Sequence, residues 1–187
     1  MNLSDVTLSS NRLRLTAFAP SDAQDSHAVQ TATLTKYMSW DPEPSLEAFA
    51  KVWQAWRPEA EAGSAVRLAI RLKTTGEYLG TIGLHDIDTS EPEIGLWIKE
   101  ARHGQGLGGE AVATVLAYAL NLGKASVIYE VDAANLASSR LAEKLGGRVI
   151  RREVGRDSKP SANGAEYASL LFRIDTNADR RRSKDKT

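Results

Sequence analysis

Cysteine is absent from the 187-residue chain, which rules out disulfides, thiolate zinc sites and a cysteine nucleophile together, and permits a reducing cytoplasm. Histidine is scarce: His27, His85 and His103 lie far apart, with no HExxH or HxH spacing to mark a metal. An excess of either charge is missing too, because Lys+Arg and Asp+Glu both total 24. That argues against nucleic-acid partners and against a polybasic membrane binder, both of which depend on net positive charge. No apolar run approaches the roughly 18 residues of a membrane helix. The opening MNLSDVTLSSNRLRL lacks the apolar core of a signal peptide. A soluble, cytoplasmic, single-domain protein is the expectation.

Hydrophobic residues make up 42% and charged residues 26%, enough for a real core. Residues 12–18 alternate as a half-buried strand, with Leu13, Leu15 and Ala17 on one face. Ser21 and Gln24 fit a capping box for a helix from Asp22 to about Thr31. Ser45 can cap a second helix through Leu46, Phe49, Trp53 and Trp56, closed by Pro58 and Gly63. The segments at 66–72, 78–87 and 93–99 read as an antiparallel meander. A glycine-rich loop, a helix over 110–122, a strand over 126–131 and a helix over 136–145 follow. Two last strands, 148–155 and 166–174, are joined by a polar loop. Residues 1–174 read as one domain and 175–187 as a polar, disordered tail.

The most informative stretch is Arg102-His103-Gly104-Gln105-Gly106-Leu107-Gly108-Gly109-Glu110. Four glycines bare the backbone just before an amphipathic helix, whose N-terminal amides and dipole suit an anion. An ordinary glycine-rich turn is the competing reading. Gly104-x-Gly106-x-x-Gly109 also satisfies the literal dinucleotide fingerprint, with Glu130 about 20 residues on. That reading, a nicotinamide-dependent oxidoreductase, fails on two grounds. Residues 99–103 separate the loop from its strand, and too little chain remains for a doubly wound parallel sheet.

Glu93-Ile-Gly-Leu-Trp-Ile followed by Gly104-Gln-Gly-Leu-Gly-Gly-Glu-Ala resembles the acetyl-CoA signature of the GNAT N-acetyltransferases. Asn135-Leu-Ala-Ser138-Ser-Arg-Leu-Ala-Glu-Lys-Leu-Gly146 resembles that family's next block. Asn11-Arg-Leu-Arg-Leu and Thr35-Lys-Tyr-Met-Ser-Trp40 are most similar to its RimJ/RimL group. His103 stands where the family usually has Gln or Arg. Gly147-Arg148-Val149-Ile150 lacks the Phe and Glu of some relatives, so a catalytic glutamate from that position is not carried over.

The resemblance implies an α/β (α+β) GNAT fold. Its mixed, mostly antiparallel sheet has about seven strands and about four flanking helices, and is splayed between the fourth and fifth strands. It implies direct transfer of acetyl from acetyl-CoA to a primary amine, through a tetrahedral intermediate and with no metal. The acceptor would be a protein N-terminus or a small molecule, and the enzyme a monomer or homodimer. Leu96, Trp97 and Ile98 would flank the pantetheine arm, and His103, Gly104, Gln105, Gly106, Leu107, Gly108 and Gly109 would hold the diphosphate. Asn135 and Ser138 would contact the cofactor, Ser138 also donating to the leaving sulfur. Glu93 is the expected base, with His85 and Asp86 on the neighbouring strand as second choices and as acceptor-site residues. Tyr37 and Trp40 would line the acceptor pocket, while the helical spacing of Trp53 and Trp56 marks them as core. A non-catalytic acyl-CoA-binding module is the alternative.

Overall fold

The structure, a computed structural model, describes residues 1–154 and 168–176. Eight strands form one open sheet in the order β1-β2-β3-β4-β5-β6-β8-β7. They are β1 (Thr7–Ser9), β2 (Leu13–Ala17), β3 (Val66–Leu72), β4 (Tyr78–His85), β5 (Glu93–Ile98), β6 (Ser126–Asp132), β7 (Arg148–Val154) and β8 (Ala168–Asp175). β1 is the strand the sequence did not announce; at three residues it is too short to show a period. Every neighbouring pair is antiparallel except β5 and β6, which run parallel and share the single register pair Glu93↔Ile128. Counting from β2, this is the splay between the fourth and fifth strands.

Alternation sorts the strands onto two faces. Val66, Leu68, Ile70, Ile82, Leu84, Ile94 and Ile98 bury themselves with α5 (Leu107–Asn121), whose Ala111, Val112, Val115 and Ala119 complete the main core. The opposite face carries α1 (Ala23–Ala28), α2 (Ala32–Thr35), α3 (Leu46–Trp53) and α4 (Trp56–Ala62). A smaller cluster of Leu34, Ala69, Tyr78 and Trp97 lies there. α6 (Leu136–Lys144) follows β6.

Three local expectations are corrected. The capping box at Ser21 does not form: Asp22 accepts the Ala19 N–H (2.9 Å) and an Arg71 N–H (2.8 Å), so Pro20–Asp22 become a 3₁₀ turn. α1 then stops at Ala28, and Thr31 caps the separate α2 through the Leu34 N–H (3.0 Å). Pro58 does not end the second helix. It sits in the first turn of α4, where the N–H it lacks is not needed, and the break falls at Gln54-Ala55. Only Gly63, left-handed at φ 79°, closes it as expected. β8 also runs through Asp175, so one residue assigned to the tail belongs to the sheet, and the next, Thr176, is tied beside it by its N–H to Ala125 O (3.0 Å). The polar loop before β8 and residues 177–187 lie outside the described residues.

Candidate active site

Where β5 leaves β6, a cavity of about 840 Å³ opens through the sheet. Its walls come from β3 to β6, from the segment 37–43, and from the start of α6. Of the residues singled out from sequence, Tyr37, Trp40, His85, Glu93, Leu96, Trp97, Asn135 and Ser138 line it together. Asp86 does not: it is exposed beyond the end of β4 with φ 52°. Ile98, at the end of β5, and the loop from His103 to Gly109, which leads into the first turn of α5, also lie outside its lining.

β5 offers a backbone edge to this opening. Lys99 N donates to Leu79 O (2.7 Å), so alternation turns the amides and carbonyls of residues 95 and 97 toward β4. Those of residues 96 and 98 face the other way, as does Pro92 O, which accepts from Ile128 N (2.8 Å). Past Glu93↔Ile128 no further register pair joins the two strands among the described residues. Leu96 therefore presents its amide and carbonyl to the gap. The carbonyl of Ile98 bonds to Nε2 of His103 (2.6 Å), which fixes that nitrogen as the protonated one. His103 thus anchors the loop to β5.

The loop bares its amides for local reasons. Gly106, left-handed at φ 73°, is the N-cap of α5, and the first helical bond is Glu110 N to Gly106 O (3.1 Å). The amides of Leu107, Gly108 and Gly109 thus have no acceptor within the helix. A Cβ on Gly108 would stand 3.2 Å from Leu96 Cδ2 and one on Gly109 3.1 Å from Leu141 Cδ1, so both glycines let the helix start close against β5 and α6. Glu110 faces the other side, accepting from Ser10 Oγ (2.6 Å), Arg12 N (2.7 Å) and Arg12 Nε (2.6 Å). Burial pushes its carboxyl up, but those bonds outweigh it and hold the pKa below the ordinary value.

On the α1–α4 side, Gly83 and Gly95 are register partners, as are His85 and Glu93. The His85 ring folds over Gly83, where a Cβ would collide with it, and Nε2 stands 3.4 Å from a Cβ placed on Gly95. Burial first, then the nearby Arg67 charge, lower its pKa to about 4 against the opposing pull of Asp86 and Glu59. At neutral pH it is therefore an uncharged imidazole beside Glu93. Arg67 pairs with Glu59 and stacks on Trp56 at 5.3 Å. Trp56, expected in the core, thus faces the cavity, although it also packs edge-on against Phe18 (4.8 Å).

At the other mouth, Asn135 Oδ1 accepts from Ser138 N (3.1 Å) and caps α6, while Asp132 Oδ1 accepts from Ala134 N (2.8 Å) and shapes the turn. Ser138 Oγ meets the buried Tyr129 hydroxyl at 2.8 Å, and burial raises that phenol's pKa. Sequence reading missed Tyr129, Arg67, Gly83 and Gly95. Glycine at inward positions of two adjacent strands was the one available signal.

These features fit a long thioester lying through a split sheet, with its diphosphate on the bare amides of α5. The family described as "Acetyltransferase (GNAT) domain" matches residues 12–148. The chain belongs to the GNAT acetyltransferase family. This GNAT enzyme is an acetyl-CoA-dependent N-acetyltransferase, which sets aside the oxidoreductase and the non-catalytic module. It is 28% identical over 176 residues to "Uncharacterized N-acetyltransferase YoaA" of Bacillus subtilis (strain 168), covering 89% of this chain and 95% of that one. Mycobacterium smegmatis RimJ, solved with CoA-disulfide, is similar in fold at TM-score 0.80 and 20% identity, with 94% of this chain and 90% of that chain covered. The spermidine N-acetyltransferase of Vibrio cholerae, solved with CoA and spermine, has TM-score 0.76 at 16% identity, over 89% and 97% of the two chains. Among the described residues, no group of three or more His, Asp or Glu is set to hold a metal, and no helix is long and apolar enough to cross a membrane.

Proposed function

We propose that this GNAT enzyme acetylates a small primary amine that arrives as an ammonium ion on the α1–α4 side of the sheet. One observation carries the reading. Among the described residues, the cavity lining holds four carboxylates, Glu43, Glu93, Glu130 and Asp132, and one guanidinium, Arg67, which pairs with Glu59. A chain neutral overall thus places more acidic than basic side chains along this cavity, a composition that attracts a cation and raises its local concentration. The ring of Trp40 adds a face on which an ammonium can rest, while Tyr37 and Trp56 already carry Lys36 and Arg67. About 840 Å³ lies within the range of small-molecule sites.

The bound thioester supplies the acetyl group. Amides of α5 hold the diphosphate, and the outward backbone of Leu96 meets the pantetheine arm. Glu93 takes the proton that the ammonium must lose before its nitrogen can attack, directly or through one water. Neutral His85 borders the same path and can accept or donate one hydrogen bond without adding charge. At the far mouth, Tyr129 and Ser138 share a hydrogen bond that turns the serine hydroxyl toward the departing sulfur. Its pKa is too high for efficient proton donation, so hydrogen bonding is its contribution.

A protein N-terminus is the second reading. Trp40, Leu46 and Val52 are 36%, 43% and 40% exposed around that side, an apolar rim suited to a peptide. A panel of diamines, polyamines, amino-acid amides and short peptides, read by CoA release, separates the two. Turnover of small diamines or polyamines, weakening as salt is added, is expected. Activity confined to peptides would favour the second reading, and turnover of anionic amines alone would overturn both.

A further inference from the structure

From the hairpin between β1 and β2 we infer that Arg12 is a positioning residue for the donor, holding the diphosphate loop in its binding shape from the other end of the chain. The inference rests on the diphosphate lying at α5, as proposed above, and extends it to a residue nearly one hundred positions away.

The difficulty Arg12 meets is electrostatic. Glu110 lies in the first turn of α5, the turn whose amides would face two phosphates. An uncompensated carboxylate there would repel them, and the structure keeps this one firmly ionised. Arg12 answers in three ways. Its Nε lies 2.6 Å from Glu110 Oε2, placing a full positive charge against the carboxylate. Its own backbone N–H and the hydroxyl of Ser10 both donate to Oε1, at 2.7 and 2.6 Å, turning the carboxylate toward the hairpin. Its Nη1 donates to the carbonyl of Gln105 at 3.0 Å.

The last contact sets the loop's polarity. In a trans peptide the carbonyl and the following N–H point to opposite sides. Holding Gln105 O against the hairpin therefore turns the Gly106 N–H away from it. The guanidinium lies beside Gly106 without crowding it, since Nη2 stands 3.7 Å, an ordinary contact distance, from a Cβ placed there. Only a planar fork can serve the carboxylate and the carbonyl together; a lysine could serve one of them.

The test compares two donors in Arg12→Met and Arg12→Lys: acetyl-CoA, and S-acetylpantetheine, which carries the same thioester without the diphosphate. In Arg12→Met the KM for acetyl-CoA should rise about tenfold with kcat nearly unchanged, while kcat/KM for S-acetylpantetheine stays within about twofold. Arg12→Lys should fall between. A merely structural role would weaken both donors equally, and that result, or an unchanged KM for acetyl-CoA, would overturn the inference. Failure of the underlying reading is separately visible: a wild-type enzyme with equal KM for the two donors would have no diphosphate site to organise.

Discussion

Replacing His85 by glutamine should remove part of the enzyme's sensitivity to acid. The imidazole is half-buried over Gly83, and burial with Arg67 holds its pKa near 4. In the unfolded chain the same ring returns to about 6.5. Between those values the unfolded state binds more protons, so the contribution is complete above about pH 6.5 and is lost as pH falls toward 4. A window about 2.5 units wide, at about 1.36 kcal/mol per unit, sets a ceiling of about 3 kcal/mol. Partial solvent access brings the expected loss to about 1–2 kcal/mol. Urea unfolding of both proteins at about pH 7 and about pH 4.5 measures it. Glu77, held near 2 by hydrogen bonds from Arg102 and then Lys99, is common to both proteins and cancels from the comparison. Wild type should lose about 1–2 kcal/mol more than His85→Gln on acidification. Parallel losses would show that the ring is not held neutral by this site.

Glu93→Gln should lower kcat at neutral pH by roughly a hundredfold while the KM for acetyl-CoA stays within about twofold; undiminished turnover would remove Glu93 as the proton acceptor. Gly106→Asp keeps space for its side chain beside Arg12, so folding should survive, but CoA affinity measured by calorimetry should fall more than about a hundredfold, since a negative charge is added to the loop that holds the diphosphate and competes for the Arg12 guanidinium that shapes it. Gly106→Ala isolates the strain of φ 73° and should weaken binding far less. Tyr129→Phe keeps the ring's packing and deletes only its bond to Ser138, so kcat should fall about threefold to tenfold with KM unchanged; full activity would end the orienting role assigned to this phenol.

Much of the fold was legible because its strands alternate and its helices carry caps. Ser45 does accept from Ala48 N (3.1 Å), and the segment at 66–72 is β3 as read. Misreadings arose where a distant partner decided the local shape. The capping box expected at Ser21 and Gln24 gives way to a turn at Asp22, whose carboxylate accepts from Ala19 N and from Arg71, far along the chain. Pro58 reads as a stop because a single sequence does not say which side of a helix break a proline falls on. The glycine loop could be found by composition alone, but its tether to Ser10 and Arg12 could not, since hairpin and loop meet only after the sheet forms. Tyr129 read as an ordinary apolar-strand residue; only the placement of α6 brings its hydroxyl to Ser138. The acidic lining was hidden for another reason: whole-chain neutrality averages over surfaces that the fold separates.

A crystal structure of the enzyme with CoA bound would be decisive. The diphosphate should lie on the amides of Gly106 to Gly109, and the pantetheine arm alongside Leu96, ending near Glu93 and Ser138. Nucleotide density elsewhere on the protein, with β5 and β6 paired along their length, would contradict that arrangement.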